Sequence, residues 1–288
     1  MSTIRIVTDS TADIPKEIVD KWNITVIPLN VVFSEAESYE DGVTISTETF
    51  YEKLETSDVI PTTSQPTPHQ FEQVYRSLQS EGADVIFSIH LSSKLSGTYQ
   101  AATIAKASLE DEKLDIRVID SRQASYAIGI MVAELAEMAH DNKPLVELEK
   151  RADQLLDETK VYFLVDTLRF LQKNGRIGKA QAMVGSLLKV KPILSLSEEG
   201  EVYPFDKARG PKKAISIIID TIKKEYGDTP IHIGASHALN QALADELIER
   251  VKAECQVESV VVTSIGAVIG THVGPGTVSI SCTKAEHS

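Results

Sequence analysis

The chain is expected to adopt an α/β fold in two domains, and three observations carry that expectation. Apolar, β-branched runs alternate with helical stretches over the first half, which is the pattern of a largely parallel, layered sheet. One of these runs, Ala83-Asp84-Val85-Ile86-Phe87-Ser88-Ile89, is nearly continuous, as befits a strand buried on both faces. A length of 288 residues accommodates two domains of ordinary size. Residues 1–160 are expected as an N-terminal α/β domain, and 161–288 as a C-terminal domain with helices on a mixed or antiparallel sheet.

Taken in order, Ile4 to Val7 reads as the first strand, and Pro15 suits the first turn of a helix reaching about Trp22. Asn23 to Phe33 is β-branched and strand-like, with Pro28 marking an edge or bulge. An acidic loop follows, and Ser46 or Thr47 caps a helix to about Leu54. Pro61 to Pro68 reads as loop, His69 to Leu78 as helix, and Thr98 to Ser108 as the helix after the buried strand. Asp115 to Asp120 is a strand, a helix opens near Gln123, and Lys143-Pro144 breaks into another that ends near Asp157. In the second half Val161 to Val165 is a strand, Asp166 to Gln172 a helix, Asn174-Gly175-Arg176 a turn, and Lys179 to Leu188 a helix. Pro192–Leu196 and Glu201–Pro204 flank Glu199-Gly200 as a hairpin. A helix starts near Pro211; Ile231–Ala235, Ser259–Thr263 and Val278–Ser281 are strands; Asn240–Ala253 is a helix.

Composition narrows the function classes. The chain is 42% hydrophobic and 25% charged, which is globular, and its net charge of −13 argues against non-specific binding to nucleic acid or anionic membrane. The two cysteines, Cys255 and Cys282, read as reduced thiols. The opening residues form a strand pattern without the apolar core of a secretory leader, and no apolar run reaches a membrane span, so a cytoplasmic location is expected.

Three polar, turn-prone runs carry the functional signal: Thr62-Thr63-Ser64-Gln65-Pro66, Leu91 to Gln100, and Gly266 to Thr277. The second and third follow strand-like segments, where α/β proteins place ligand loops. In the second, Ser96-Gly97-Thr98 opens a helix, and Gly97 permits close backbone approach to a ligand. The first is explained equally by turn and cap chemistry. His272 lies between Gly270 and Gly274 and reads either as structural or as a donor to a carboxylate. Thr8-Asp9-Ser10-Thr11 lacks a glycine-rich phosphate fingerprint and reads first as a helix cap. Gly175-Arg176 and the run Lys207 to Lys213 are either solvated surface or a small cationic patch for a partner or phosphate. The other histidines, among them His287, form no metal spacing, so neither metal nor cofactor is expected. These groups point to a binding site for an acidic ligand.

Together these runs resemble the DegV family of bacterial fatty-acid-binding proteins. The resemblance covers Val7 to Asp13, Thr63 to Pro66, Leu91 to Gln100, Asn174 to Ile177, Leu188 to Leu194 and the glycine run around His272, in that order. It implies a two-domain DegV-like fold with a long-chain fatty acid between the domains, its tail in an apolar tunnel. Ser64 and Ser96 would bind the carboxylate directly, with Thr63, Ser92, Ser93 and His272 as neighbours in the polar network. Arg176 and Arg209 would engage the catalytic subunit of a fatty acid kinase, which phosphorylates the carboxylate while this non-catalytic subunit holds the lipid. Lipid exchange would involve transient membrane contact. The rival readings are a hydrolase or transferase with Ser96 as nucleophile and His272 as base, and a lipid sensor without a kinase; no G-x-S-x-G elbow surrounds Ser96.

Overall fold

A computed structural model describes residues 3–110, 113–185 and 190–285. The first half contains β1 (Ile4–Asp9), a 3-10 turn at Ser10–Ala12, α1 (Lys16–Lys21), β2 (Thr25–Ile27), β3 (Asn30–Ser34), β4 (Glu37–Glu40), α2 (Thr47–Thr56), β5 (Thr62–Ser64), α3 (Pro68–Ser80), β6 (Val85–His90), α4 (Thr98–Ser108), β7 (Asp115–Asp120), α5 (Tyr126–His140) and α6 (Leu145–Glu158). The second half contains β8 (Lys160–Leu164), α7 (Arg169–Lys173), a 3-10 segment at Gly178–Met183, β9 (Lys191–Leu196), β10 (Val202–Ala208), α8 (Pro211–Tyr226), β11 (Ile231–His237), α9 (Gln241–Glu254), β12 (Val257–Ser264), α10 (Ala267–Val273) and β13 (Val278–Lys284).

A four-stranded, all-parallel sheet in the order β2-β1-β6-β7 forms the first layer. Its central strands, β1 and β6, are covered on both faces. Val7 and Ile86 point toward Phe71, Tyr75, Ala101 and Ala105 of α3 and α4, while Ile6, Phe87 and Ile89 point toward Ile128, Met131 and Leu135 of α5. That double burial explains the continuous apolar run in β6, and the layered parallel sheet expected from the sequence is present. A small antiparallel sheet, β4-β3-β5, is inserted beside it.

The second sheet has six strands in the order β10-β9-β8-β13-β11-β12. Only β11 and β12 pair in parallel; the other neighbours are antiparallel, so the expected mixed sheet is also present. One face packs on α8 and α9 through Ile193, Ile218, Ile233 and Ile280. The other face, with Val161, Phe163, Leu194, Leu196 and Val202, turns toward the first half of the chain.

Five local expectations are corrected. The stretch Asn23 to Phe33 is two strands in two sheets, because Pro28 interrupts it: β2 is an edge of the parallel sheet and β3 belongs to the inserted one. The acidic loop contains β4, and part of the Pro61–Pro68 loop is β5. The glycine-rich run after β12 is not a loop; seven of its residues form α10. Finally, the helix expected over Lys179 to Leu188 is a 3-10 segment over Gly178–Met183. Leu188, Lys189 and His287 lie outside the described residues.

Arg151 of α6 fastens the two halves together. It is 2% exposed, and its guanidinium donates to Glu134 Oε1 at 2.5 Å, Glu158 Oε1 at 2.6 Å and the Lys284 carbonyl of β13 at 2.8 Å. Removing the cation would leave its charged neighbours in a poorly solvated place. Arg151→Ala is expected to lower the unfolding free energy by about 3–5 kcal/mol, measured by urea denaturation.

Candidate functional site

A cavity lies where the inner face of the six-stranded sheet meets the carboxyl ends of the parallel strands. It comprises about 850 Å³ of atom-free space, its open mouth and the solvent there included. Three separate parts of the chain supply its apolar wall. Leu29, Leu91 and Leu95 come from the first half, Val161, Phe163, Leu196 and Val202 from the sheet, and Ile265, Val268, Ile269 and Val273 from α10 and its approach.

The polar groups at one end come from the runs singled out in the sequence. Thr63 Oγ1 lies 2.9 Å from His272 Nε2. Ser96 Oγ lies 2.9 Å from Thr98 Oγ1 and accepts from the Thr98 N–H at 3.3 Å, so it marks the opening of α4. The Gln65 amide packs flat on Gly97 and accepts from its N–H at 3.2 Å; a Cβ at Gly97 would stand 2.5 Å from Gln65 Nε2. Arg176 completes the group. Its side chain is held by the Leu95 and Asn174 carbonyls at 3.1 and 2.7 Å. Among the described residues, Arg176 carries the one full charge in the cavity lining, and no carboxylate lines it.

The remaining sequence-predicted residues are placed elsewhere. Ser64 alternates with Thr63 along β5 and is exposed, outside the lining. Ser92 is fully buried, donating to the Gly200 carbonyl at 2.8 Å and accepting from the Lys94 N–H at 3.2 Å, so its hydroxyl ties the serine loop to the β9–β10 turn. Ser93 is exposed, and its N–H donates to Asp120 Oδ1 at 3.2 Å. Arg209 is exposed just before α8 and does not line the cavity. Gln65, Ser125, Thr277 and Ser279 line the cavity without having been expected as site residues. The alternation in Val278-Ser279-Ile280-Ser281, with apolar side chains on the α8–α9 face, was the available signal for Ser279.

Buried acids position these groups. Asp9 accepts from the Thr11 N–H at 3.1 Å as a cap, and from the Leu91 N–H at 3.2 Å, which fixes the start of the serine loop. It also pairs with His90 Nδ1 at 2.9 Å; His90 Nε2 meets Ser88 Oγ at 2.6 Å, and Ser88 meets Tyr75 OH at 2.7 Å. This serine–histidine–aspartate chain is fully buried and lies outside the lining of this cavity. Asp13 and Asp41 hold α10. Asp13 Oδ1 accepts from the Gly266 N–H at 2.9 Å, and Asp41 accepts from Ala267 and Val268 N–H at 3.0 and 3.3 Å. At the other end of the helix, Asn174 Nδ2 donates to the Thr271 carbonyl at 2.9 Å. His272 therefore stands on a helix fastened at both ends.

Burial sets the protonation states in and around the polar end. Burial lowers the His272 pKa to about 4, aided by the nearby Arg176 charge, so the ring is neutral at pH 7. Its Nδ1 is buried without a partner, so no carboxylate orients the ring as a general base. Ser96 Oγ faces Thr98. Burial pushes the Asp41 carboxyl up to about 6 and Asp13 well above its ordinary value. These shifts have opposite consequences for stability. The His272 pKa is about 4 when folded and about 6.5 when unfolded, so its contribution is complete above pH 6.5 and lost as pH falls toward 4. The folded Asp41 pKa of about 6 exceeds its unfolded value, so its contribution is complete at low pH and lost as pH rises through 6. In urea melts at stepped pH, the wild-type advantage over His272→Gln should grow from pH 4 to 6.5, and that over Asp41→Asn should shrink from pH 4 to 6.

Known proteins share this architecture. A family model described as "Uncharacterised protein, DegV family" matches residues 3–285. The protein DegV of Bacillus subtilis is 37% identical over 279 residues, covering 96% of this chain and 98% of that one. A solved structure of a DegV family protein from Thermus thermophilus, described by its fatty acid binding, superposes with a TM-score of 0.91 at 35% identity, covering 98% of this chain and all of that one (100%). The solved structure of Bacillus subtilis DegV, described as a fatty acid binding protein, gives 0.87 at 34% identity, covering 99% and 100%. With one family model spanning nearly every residue and relatives matched end to end, this chain belongs to the DegV family.

Proposed function

We propose that this protein is a non-catalytic carrier that holds one long-chain fatty acid and presents its carboxylate to a partner kinase for acyl-phosphate formation. The observation that carries the reading is the polarity of the cavity: an apolar wall with hydroxyls, an amide, a neutral histidine and one arginine gathered at one end. The similarity to proteins described as fatty acid binding supports it. The acid lies between two domains, residues 1–160 and 161–288, with the carboxylate against Thr63, Ser96, His272 and Arg176.

The energetics suit such a ligand. Burying roughly 15 methylenes at about 0.8 kcal/mol each gives about 12 kcal/mol before entropy and reorganisation costs. A buried carboxylate is tolerated when several donors satisfy it, and the hydroxyls, Gln65 and Arg176 are such donors. Neutral donors beside one cation can also accept the larger charge of an acyl phosphate. No helix among the described residues is long and apolar enough to cross a membrane. The carrier would work in the cytoplasm, acquire its lipid through transient membrane contact, and meet the kinase through the exposed Arg209 and the rim at Arg176. No cofactor or nucleic acid takes part.

Native and then denaturing mass spectrometry of the purified protein is expected to show one bound fatty acid that is lost on unfolding. A protein that stays ligand-free after incubation with varied fatty acids would refute the carrier reading. Ser96→Ala should weaken retention by about tenfold, the loss of one hydrogen bond to a charged group. Arg209→Ala should leave retention unchanged and slow phosphorylation by the kinase.

A further inference from the structure

The cavity contains a second polar group, away from the carboxylate end and unused by the carrier reading. Ser279 of β13 lines the cavity, is 4% exposed, and its Oγ has no hydrogen-bond partner. Ser236 is its cross-strand neighbour on β11. Ser125, also in the lining, lies 3.3 Å from the Ser236 hydroxyl and donates to Asp13 Oδ2 at 2.5 Å. Ser125 is held at φ 54°, a left-handed conformation costly for a residue with a Cβ. The chain thus accepts backbone strain to keep this hydroxyl between the cavity and Asp13.

Buried polar atoms are nearly always paired, so the bare Ser279 hydroxyl in an apolar wall calls for an occupant. The partner must be neutral, small and able both to donate and to accept. A hydroxyl on the ligand meets all three demands. It can accept from Ser279 Oγ and donate to a second acceptor such as a lone pair on Ser125. Ser125 is separated from the carboxylate end by about the length of α10. Asp13, which Ser125 touches, binds the Gly266 N–H at the start of that helix, and His272 stands near its end. Six residues at 1.5 Å rise place the two roughly 9 Å apart along the helix axis.

We propose that Ser279, with Ser125 on the far side of Ser236, recognises a hydroxyl carried partway along the acyl chain, so that hydroxylated long-chain fatty acids are the preferred ligand class. The inference rests on the carrier reading and adds a specificity determinant to it. A site built to pair with a substrate hydroxyl discriminates against the analogue that lacks it, because its own polar group is then left bare.

The test is competition binding to the delipidated full chain, using stearic acid and a series of hydroxystearic acids with the hydroxyl at successive mid-chain carbons. One isomer is expected to bind about three- to tenfold more tightly than stearic acid. Ser279→Ala should bring that ratio close to one. Ser281→Ala, at a neighbouring bare hydroxyl outside the cavity lining, should preserve it. Stearic acid binding with no isomer preferred would overturn this inference alone and leave the carrier intact. A preference that survives in Ser279→Ala, or vanishes equally in Ser281→Ala, would also overturn it. Failure of every acid to bind would remove the carrier reading, and this inference with it.

Discussion

Helix α10 begins against two buried carboxylates, and the cavity depends on that attachment. A helix of seven residues is too short to be stable by itself; it persists because other parts of the chain satisfy its ends. Asp13 and Asp41 take the N–H groups at its start, and Asn174 takes a carbonyl near its end. The helix supplies Val268, Ile269 and Val273 to the wall and His272 to the polar end. The cost of this arrangement is visible in the raised carboxyl pKa values: two acids are buried against neutral donors, with an unfavourable interaction between them. Positioning is obtained at the expense of local stability.

The polar end follows a different electrostatic strategy. Its hydroxyls, amide and neutral imidazole offer dipoles in place of charges, while Arg176 sits at the exposed rim. The same arginine disfavours a charged His272, so the ring remains neutral beside it. An acyl carboxylate at that end would replace water without bringing it face to face with a buried cation, and the absence of any lining carboxylate among the described residues keeps repulsion low.

The parallel sheet was legible because strands buried on both faces show as continuous apolar runs, and β6 is such a run. The polar runs that converge at Thr63, Ser96 and His272 were legible from their hydroxyls and glycines. What was not legible depends on partners distant in the chain. Gly266 to Thr277 carries the glycines and proline of a loop, and only acids more than two hundred residues earlier make part of it helical. Thr63 and Ser64 are chemically similar neighbours, and the pairing of β5 with β3 decides which one faces inward. Ser92 was expected as a neighbour in the polar network, and only the fold shows that the Gly200 carbonyl takes its hydroxyl. Arg176 was expected only as a partner-docking residue; its place in the cavity lining depends on the fold, since Asn174 bonds to α10 two residues before it.

The position of β13 has a consequence for biogenesis. It is among the last strands in sequence order, yet it lies in the interior of the six-stranded sheet, between β8 and β11. Until it inserts, β8–β10 and β11–β12 are two separate pieces with open edges, and the cavity lacks Ser279 and part of its floor. A nascent chain on the ribosome therefore has no completed compartment until residues near 284 have emerged. The cavity is thus a property of the finished molecule, and the unpaired edges of β8 and β11 are the surfaces that a chaperone would have to shield in the interval.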